Sequence, residues 1–146
     1  MIKIKVMDVY AENSPFVDKV LESDTIEKVI AVMGENKTTR TVFVVDKSNN
    51  FMGIITIKEI FDLIFEEMRP KIMRVFKQKK NLKAGDIMKD AISVSLDDEL
   101  EDALRAAKAG NLQDLPVCKN GKVIGELDCF ELLYGLAKTN KNYFKS

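Results

Sequence analysis

Leu115-Pro116-Val117-Cys118-Lys119-Asn120-Gly121-Lys122-Val123-Ile124-Gly125-Glu126-Leu127 is an apolar run, a polar break and a second apolar run. Asn-Gly is the pair preferred in two-residue hairpin turns, because both central residues there need positive φ. The stretch predicts strand, tight turn, strand, and the amphipathic run from Cys129 to Leu136 predicts a helix directly after it. The first half holds the same signals in the same order. Val42-Phe43-Val44-Val45-Asp46 is followed by the polar turn Lys47-Ser48-Asn49-Asn50, by Met52-Gly53-Ile54-Ile55-Thr56, and by an amphipathic run from Ile57 to Phe65. Gly53 and Gly125 fall at the same place in the two copies.

Each copy extends upstream by a further helix and a short strand. Ile26, Val29, Ile30 and Met33 in one half, and Leu100, Ala103, Leu104 and Ala107 in the other, recur every three or four residues. Asp24-x-x-Glu27 and Asp98-x-x-Glu101 predict capping boxes at the starts of these helices. Before them lie β-prone stretches, Phe16-Val17 with Val20-Leu21 and then Ile92-Ser93-Val94. The repeat is therefore β-α-β-β-α, an α+β fold. A single copy leaves one face of a three-stranded sheet uncovered, so two copies are expected to pack as one pseudo-twofold module. The divisions are 1–66 for the first repeat, 67–83 for a connector, 84–140 for the second repeat and 141–146 for a tail.

Bulk composition narrows the function classes. The 146 residues are 46% hydrophobic and 32% charged, enough apolar surface for a packed core. The 23 basic residues balance the 23 acidic ones, so no overall field draws the chain to nucleic acid or to an anionic membrane. No stretch approaches the length of a membrane-spanning helix and the N-terminus lacks an unbroken apolar core, so a soluble cytoplasmic protein is expected. Histidine is absent. That removes Ser/His/Asp and Cys/His nucleophile systems and the commonest nitrogen ligand of zinc, and no Gly-rich phosphate loop followed by Lys is present, so no enzyme is expected. Cys118 and Cys129 stand in apolar contexts without CxxC spacing and read as small buried hydrophobes.

The connector is the sharpest local charge feature. From Arg69 to Lys83 it carries Arg69, Lys71, Arg74, Lys77, Lys79, Lys80 and Lys83 with no acidic residue, interrupted by Ile72, Met73, Val75 and Phe76. A short helix begun at Pro70 fits this pattern. It reads either as a solvated connector packed through its apolar residues, which the neutral chain favours, or as a phosphate-contacting arm for nucleic acid or a docking surface for an acidic partner.

The doubled pattern resembles the CBS domain pair, or Bateman module, over nearly the whole chain. Val6-Met7-Asp8-Val9 and Gly85-Asp86-Ile87-Met88 are similar to the lead-in that opens each CBS repeat. Leu115-Pro116-Val117 through Gly125 follows the family's strand, turn and glycine-containing strand, with Phe43 in place of the expected proline in the first half. The resemblance implies a regulatory module without catalytic chemistry, pairing as a homodimer, whose inter-repeat clefts bind AMP, ADP, ATP or S-adenosylmethionine and whose state is read by a regulated partner protein. It also implies that a Thr or Ser ending the last strand, and an Asp three positions later, hold the ribose. The matching pairs are Thr56 with Glu59 and Asp128 with Glu131.

Both pairs read in two ways. A carboxylate accepts from both ribose hydroxyls while the helix N-terminus beside it offers N–H groups to phosphate. Equally, Thr-x-x-Glu and Asp-x-x-Glu at a strand-to-helix junction are capping boxes, and the Glu in place of the family's Asp weighs toward the cap. In the family fold Arg40 and Lys58 would come near enough to meet a phosphate at the first site, whereas Asp128 and Glu131 would repel it at the second, so the first is expected to bind more tightly. Ala91 and Ser93, with Lys19 as the first-repeat counterpart, match the place where the family runs backbone past the adenine. A ligand-free dimerisation or interaction scaffold, its sites closed by the two Glu residues, is the alternative, and nucleic-acid association through the connector is a third option.

Overall fold

The computed structural model describes residues 4–10, 17–35, 41–65 and 82–139. The chain forms two compact units, one built from 17–91 and the other from 1–16 with 92–146. Within the first, β1 (Lys19–Leu21), α2 (Ile26–Glu35), β2 (Thr41–Val45), β3 (Phe51–Thr56), α3 (Ile57–Phe65) and α4 (Ala84–Ile87) follow in chain order. Within the second, α1 (Val6–Val9) joins α5 (Leu100–Gly110), β4 (Asp114–Lys119), β5 (Lys122–Asp128) and α6 (Cys129–Thr139). The α+β class expected from the doubled pattern is the class observed.

In the first unit β2 lies between β1, which it pairs in parallel, and β3, which it pairs antiparallel. All five residues of β2 are buried, as a central strand covered on both faces requires. Val42 and Val44 point to one face, where Val20, Val29, Ile55, Ile60 and Leu63 close around them together with Ala84 and Ile87 of α4. Ile57 to Phe65 forms a helix because Ile60 and Leu63 recur at a helical spacing and both are buried.

The second unit repeats the hairpin. Asn120 and Gly121 both have positive φ, 53° and 78°, so the predicted two-residue turn is the one formed. Both hairpins carry an irregularity after equivalent valines, Val44 and Val117. The third strand differs. Ile92-Ser93-Val94, expected as a strand, makes a single bridge, Val94 to Val117. In the first unit Phe43 N–H donates to Asp18 O at 2.9 Å and extends the parallel ladder. Pro116, at the matching place, has no N–H to donate, and the ladder stops after Val94 N–H to Pro116 O and Cys118 N–H to Val94 O. The Phe43 departure from the repeat pattern is thus what allows a full strand beside it.

The capping boxes expected at Asp24 and Asp98 are corrected. Asp24 accepts from Leu21 N–H and Asp98 from Ser95 N–H, both at 2.8 Å, so each closes the turn before its helix. The residue that caps α2 is Thr25, whose hydroxyl accepts from Lys28 N–H, and Glu99 precedes α5 with no side-chain cap.

The repeats of the sequence and the compact units differ in one respect: each lead-in helix lies with the opposite repeat. Ala84 N–H donates to Asp24 O and Gly85 N–H to Glu22 O in one unit. In the other, Val6 N–H donates to Asp98 O, Met7 N–H to Leu96 O and Leu100 N–H to Ile4 O. The aligned glycines serve this exchange. A Cβ on Gly53 would stand 2.6 Å from Met88 Sδ and 2.8 Å from Lys89 O, and one on Gly125 would overlap the Tyr10 ring. Most of the basic connector, with its proposed helix, and the 141–146 tail lie outside the described residues.

Candidate functional site

The β3–α3 junction is where a strand edge, a helix start and the exchanged lead-in meet. Thr56, the last residue of β3, accepts from Lys58 N–H at 3.3 Å through its hydroxyl and donates the same hydroxyl to Glu59 Oε2 at 2.6 Å. The expected capping box is therefore half formed: the threonine caps, but the glutamate binds the cap hydroxyl in place of the cap N–H. Glu59 is 11% exposed at its side chain; its Oε1 is inaccessible to solvent and accepts no hydrogen bond. Lys89 Nζ stands 3.6 Å from that oxygen, close enough for charge attraction and too long for a good hydrogen bond. Lys89 is held there by its backbone, which exchanges two hydrogen bonds with Ile54 of β3, N–H to O at 2.9 Å and O to H–N at 3.1 Å. Lys58 pairs with Asp62 one helical turn on.

The equivalent junction of the other unit is acidic. Asp128 Oδ1 accepts from Phe130 N–H at 2.7 Å and caps α6, while Glu131 is exposed. Asp114 lies directly opposite Asp128 in the β4–β5 register. Partial burial, then the charges of Asp128 and Asp114, hold the Glu131 carboxyl above the usual carboxylate range. Cys129 beside them donates its thiol to Leu112 O at 3.4 Å. Burial, followed by the same two carboxylates, pushes that thiol up to about 11. Cys118 is raised by burial too, against a hydrogen bond with Ser93 that lowers it. Neither thiol has the electropositive surroundings of a reactive cysteine.

The remaining described candidates divide between the two units. Lys19, opposite Phe43 in the β1–β2 register, is exposed and donates to Asn49 Oδ1 of the β2–β3 turn at 3.1 Å. Ala91 is exposed and belongs to the unit of Thr56; Ser93 is exposed and belongs to the unit of Asp128. Arg40 lies outside the described residues. An open hollow of about 290 Å³ at the turn end of the first sheet is lined by Leu21, Glu22, Ser23, Asp46, Lys47 and Ser48. Its Asp46 carboxylate already accepts from Ser48 N–H, Asn50 N–H and Asn50 Nδ2. Among the described residues no group of three or more His, Cys, Asp or Glu is placed to hold a metal, and no helix is long and apolar enough to cross a membrane.

Lys89 was not among the residues the sequence pointed to. It sits in the second repeat by sequence and reaches the first-repeat junction through the exchanged lead-in. The signal that carries it is Gly53, a glycine in mid-strand, which marks a close backbone approach.

The CBS domain model matches the chain twice, over residues 6–66 and 84–138. The uncharacterized protein MJ1404 of Methanocaldococcus jannaschii is 26% identical over 125 residues, 82% of this chain and 30% of that protein; the chain thus spans about a third of that relative's length. Among solved structures, a CBS domain-containing protein of Thermotoga maritima superposes with a TM-score of 0.72 at 29% identity, covering 92% of this chain and 95% of that one. Protein MJ1225 of Methanocaldococcus jannaschii gives 0.75 at 25% identity over 93% of this chain and 51% of that one. CBSX2 of Arabidopsis thaliana, solved in complex with AMP, shares the fold at 0.72 and 20% identity over 93% and 98% of the two chains.

Proposed function

The chain belongs to the CBS domain family, with two copies of the domain in tandem, and we propose that it is a regulatory module binding an adenine-containing ligand, of the AMP, ADP, ATP or S-adenosylmethionine class, at the β3–α3 junction. The observation that carries the proposal is Glu59. One of its oxygens is fixed by Thr56, which aims the carboxylate, and the other is buried with no hydrogen bond, which is unfavourable until a donor reaches it. A ribose hydroxyl is such a donor, and in the family the residue three places after the Thr has that task. CBSX2, which shares the fold, was crystallised with AMP. The β5–α6 junction is the poorer site, because a phosphate there meets Asp114, Asp128 and Glu131. The module has no catalytic role: its ligand biases two arrangements of the protein, and a regulated partner reads the difference.

Thermal unfolding against AMP, ADP, ATP, adenosine and S-adenosylmethionine tests this, because a ligand that binds the folded state alone raises Tm by mass action. A dose-dependent rise with one of them supports the sensor; no rise with any favours the ligand-free scaffold.

A second proposal concerns assembly. α3 exposes Ile57, Phe61, Ile64 and Phe65, and α6 exposes Phe130, Leu133 and Tyr134, each between 42% and 70% accessible. Both stripes follow the three-and-four spacing of one helical face. Seven large apolar side chains in two such stripes fit pairing with a second copy of the chain, and we assign them to a homodimer.

A further inference from the structure

We propose that Lys89 makes the β3–α3 junction selective for phosphate-bearing ligands over neutral or cationic ones. The inference rests on the adenine-ligand reading above and deepens it.

Glu59 Oε1 is inaccessible to solvent, and Lys89 Nζ is 3.6 Å from it. A ligand hydroxyl reaches that oxygen only when the groups around it, Lys89 included, give way. A neutral diol that moves the ammonium off the carboxylate offers it no anion in exchange, so part of the binding free energy is lost in separating the pair. A ligand that carries a phosphate on the same ribose as its diol supplies an anion as the ammonium leaves the carboxylate, and the new contact is a charge-assisted hydrogen bond. A cationic ligand meets the ammonium as a like charge.

The stem of Lys89 is anchored at its backbone. Ile54 and Lys89 exchange N–H to O hydrogen bonds at 2.9 and 3.1 Å, and the missing Cβ of Gly53 is what lets this segment lie against β3. Lys89 keeps 29% of its side chain exposed, so it can turn toward a ligand without unfolding its surroundings. At the β5–α6 junction Tyr10 occupies the space beside Gly125, and the charges that act on Glu131 are those of Asp128 and Asp114.

The test titrates the full chain with adenosine, AMP, S-adenosylmethionine and inorganic pyrophosphate, by calorimetry and by the amide NMR signals of Ile54 and Lys89. It uses the wild type and the variants Lys89→Met and Lys89→Arg, with thermal unfolding to verify that each is folded. Wild type is expected to bind AMP roughly tenfold or more tighter than adenosine, the size of one charge-assisted hydrogen bond, and to bind S-adenosylmethionine no better than adenosine. Lys89→Met should bring the AMP-to-adenosine ratio within about threefold, weakening AMP and strengthening adenosine, which then has no ion pair to separate, while Lys89→Arg keeps most of the preference. A merely structural lysine would weaken AMP and adenosine together, and that result overturns the assignment. So does an unchanged ratio in Lys89→Met, although adenine binding itself would then stand. Pyrophosphate shifting both amides in wild type and not in Lys89→Met, with no binding of any adenine compound, would keep the lysine's role and remove the adenine reading. No response to any of the four ligands removes both.

Discussion

Thr56 does two things with one hydroxyl: it accepts from Lys58 N–H at the start of α3 and donates to Glu59. Thr56→Val keeps the shape and loses both bonds, leaving a buried carboxylate without its one hydrogen-bond partner. The expected loss is about 1–2 kcal/mol, read from the urea midpoint at constant m-value; a change within error would mean that water replaces the hydroxyl. At the other junction the charges act against folding. Glu131 has its carboxyl pKa raised in the folded state, so the native protein binds more protons than the unfolded chain from around pH 4.5 upward, and stability falls as pH rises through that window. Glu131→Gln should stabilise the fold at pH 7, by less than about 1 kcal/mol because the side chain is largely solvated, and the gain should vanish below pH 4.5. Cys129 obeys the same sign at the alkaline end. Its thiol keeps its proton to about 11 in the folded chain against 9.0 in the unfolded one, so stability is expected to drop between those values and Cys129→Ala to remove the drop. Denaturant titrations from pH 7 to pH 10.5 would show it, and a flat profile for wild type would contradict it.

Among the elements, the two aligned glycines explain most about how the site is put together. The hairpins, their turns and the helices after them could be read from hydrophobic spacing, because each is decided by neighbours in sequence: Asn120-Gly121 at the turn, Ile60 and Leu63 on the inner face of α3. What could not be read was the exchange of lead-ins. Contacts such as Ala84 N–H to Asp24 O span sixty residues, and periodicity carries no information about them. For the same reason Lys89 was invisible as a partner of Glu59, and the capping role moved by one residue from Asp24 to Thr25, since the turn before α2 claims the aspartate first. Pro116 shows the converse, a residue whose chemistry, a missing N–H, is written in the sequence and would have forecast that Ile92-Ser93-Val94 cannot form a full strand. Substituting Gly53→Ala or Gly125→Ala forces a methyl into Met88 and Lys89 or into Tyr10, at a cost of roughly 1–3 kcal/mol. Amide exchange separates the two. Gly53→Ala should release Ala84–Lys89 and Gly125→Ala should release Val6–Val9; faster exchange confined to the hairpin that carries the substitution would argue against exchanged lead-ins.

For the molecule as a whole, the apolar stripes and the ligand junction make separate claims. If α3 and α6 pair two copies, sedimentation should give a dimer at micromolar concentration, and Phe65→Glu with Phe130→Glu should give a folded monomer with an undiminished Tm at low concentration. A wild-type monomer up to high concentration would leave the stripes to another partner. The tandem CBS architecture itself does not specify whether a nucleotide is bound; in the proposed reading that depends on Glu59 and the groups that hold it. Calorimetric titration of AMP into the wild-type chain and into Glu59→Gln addresses this directly. Binding by wild type, weakened roughly tenfold or more when the charge proposed to receive the ribose is removed, is the predicted result. Equal affinity in the two proteins, or no binding by wild type, would contradict it.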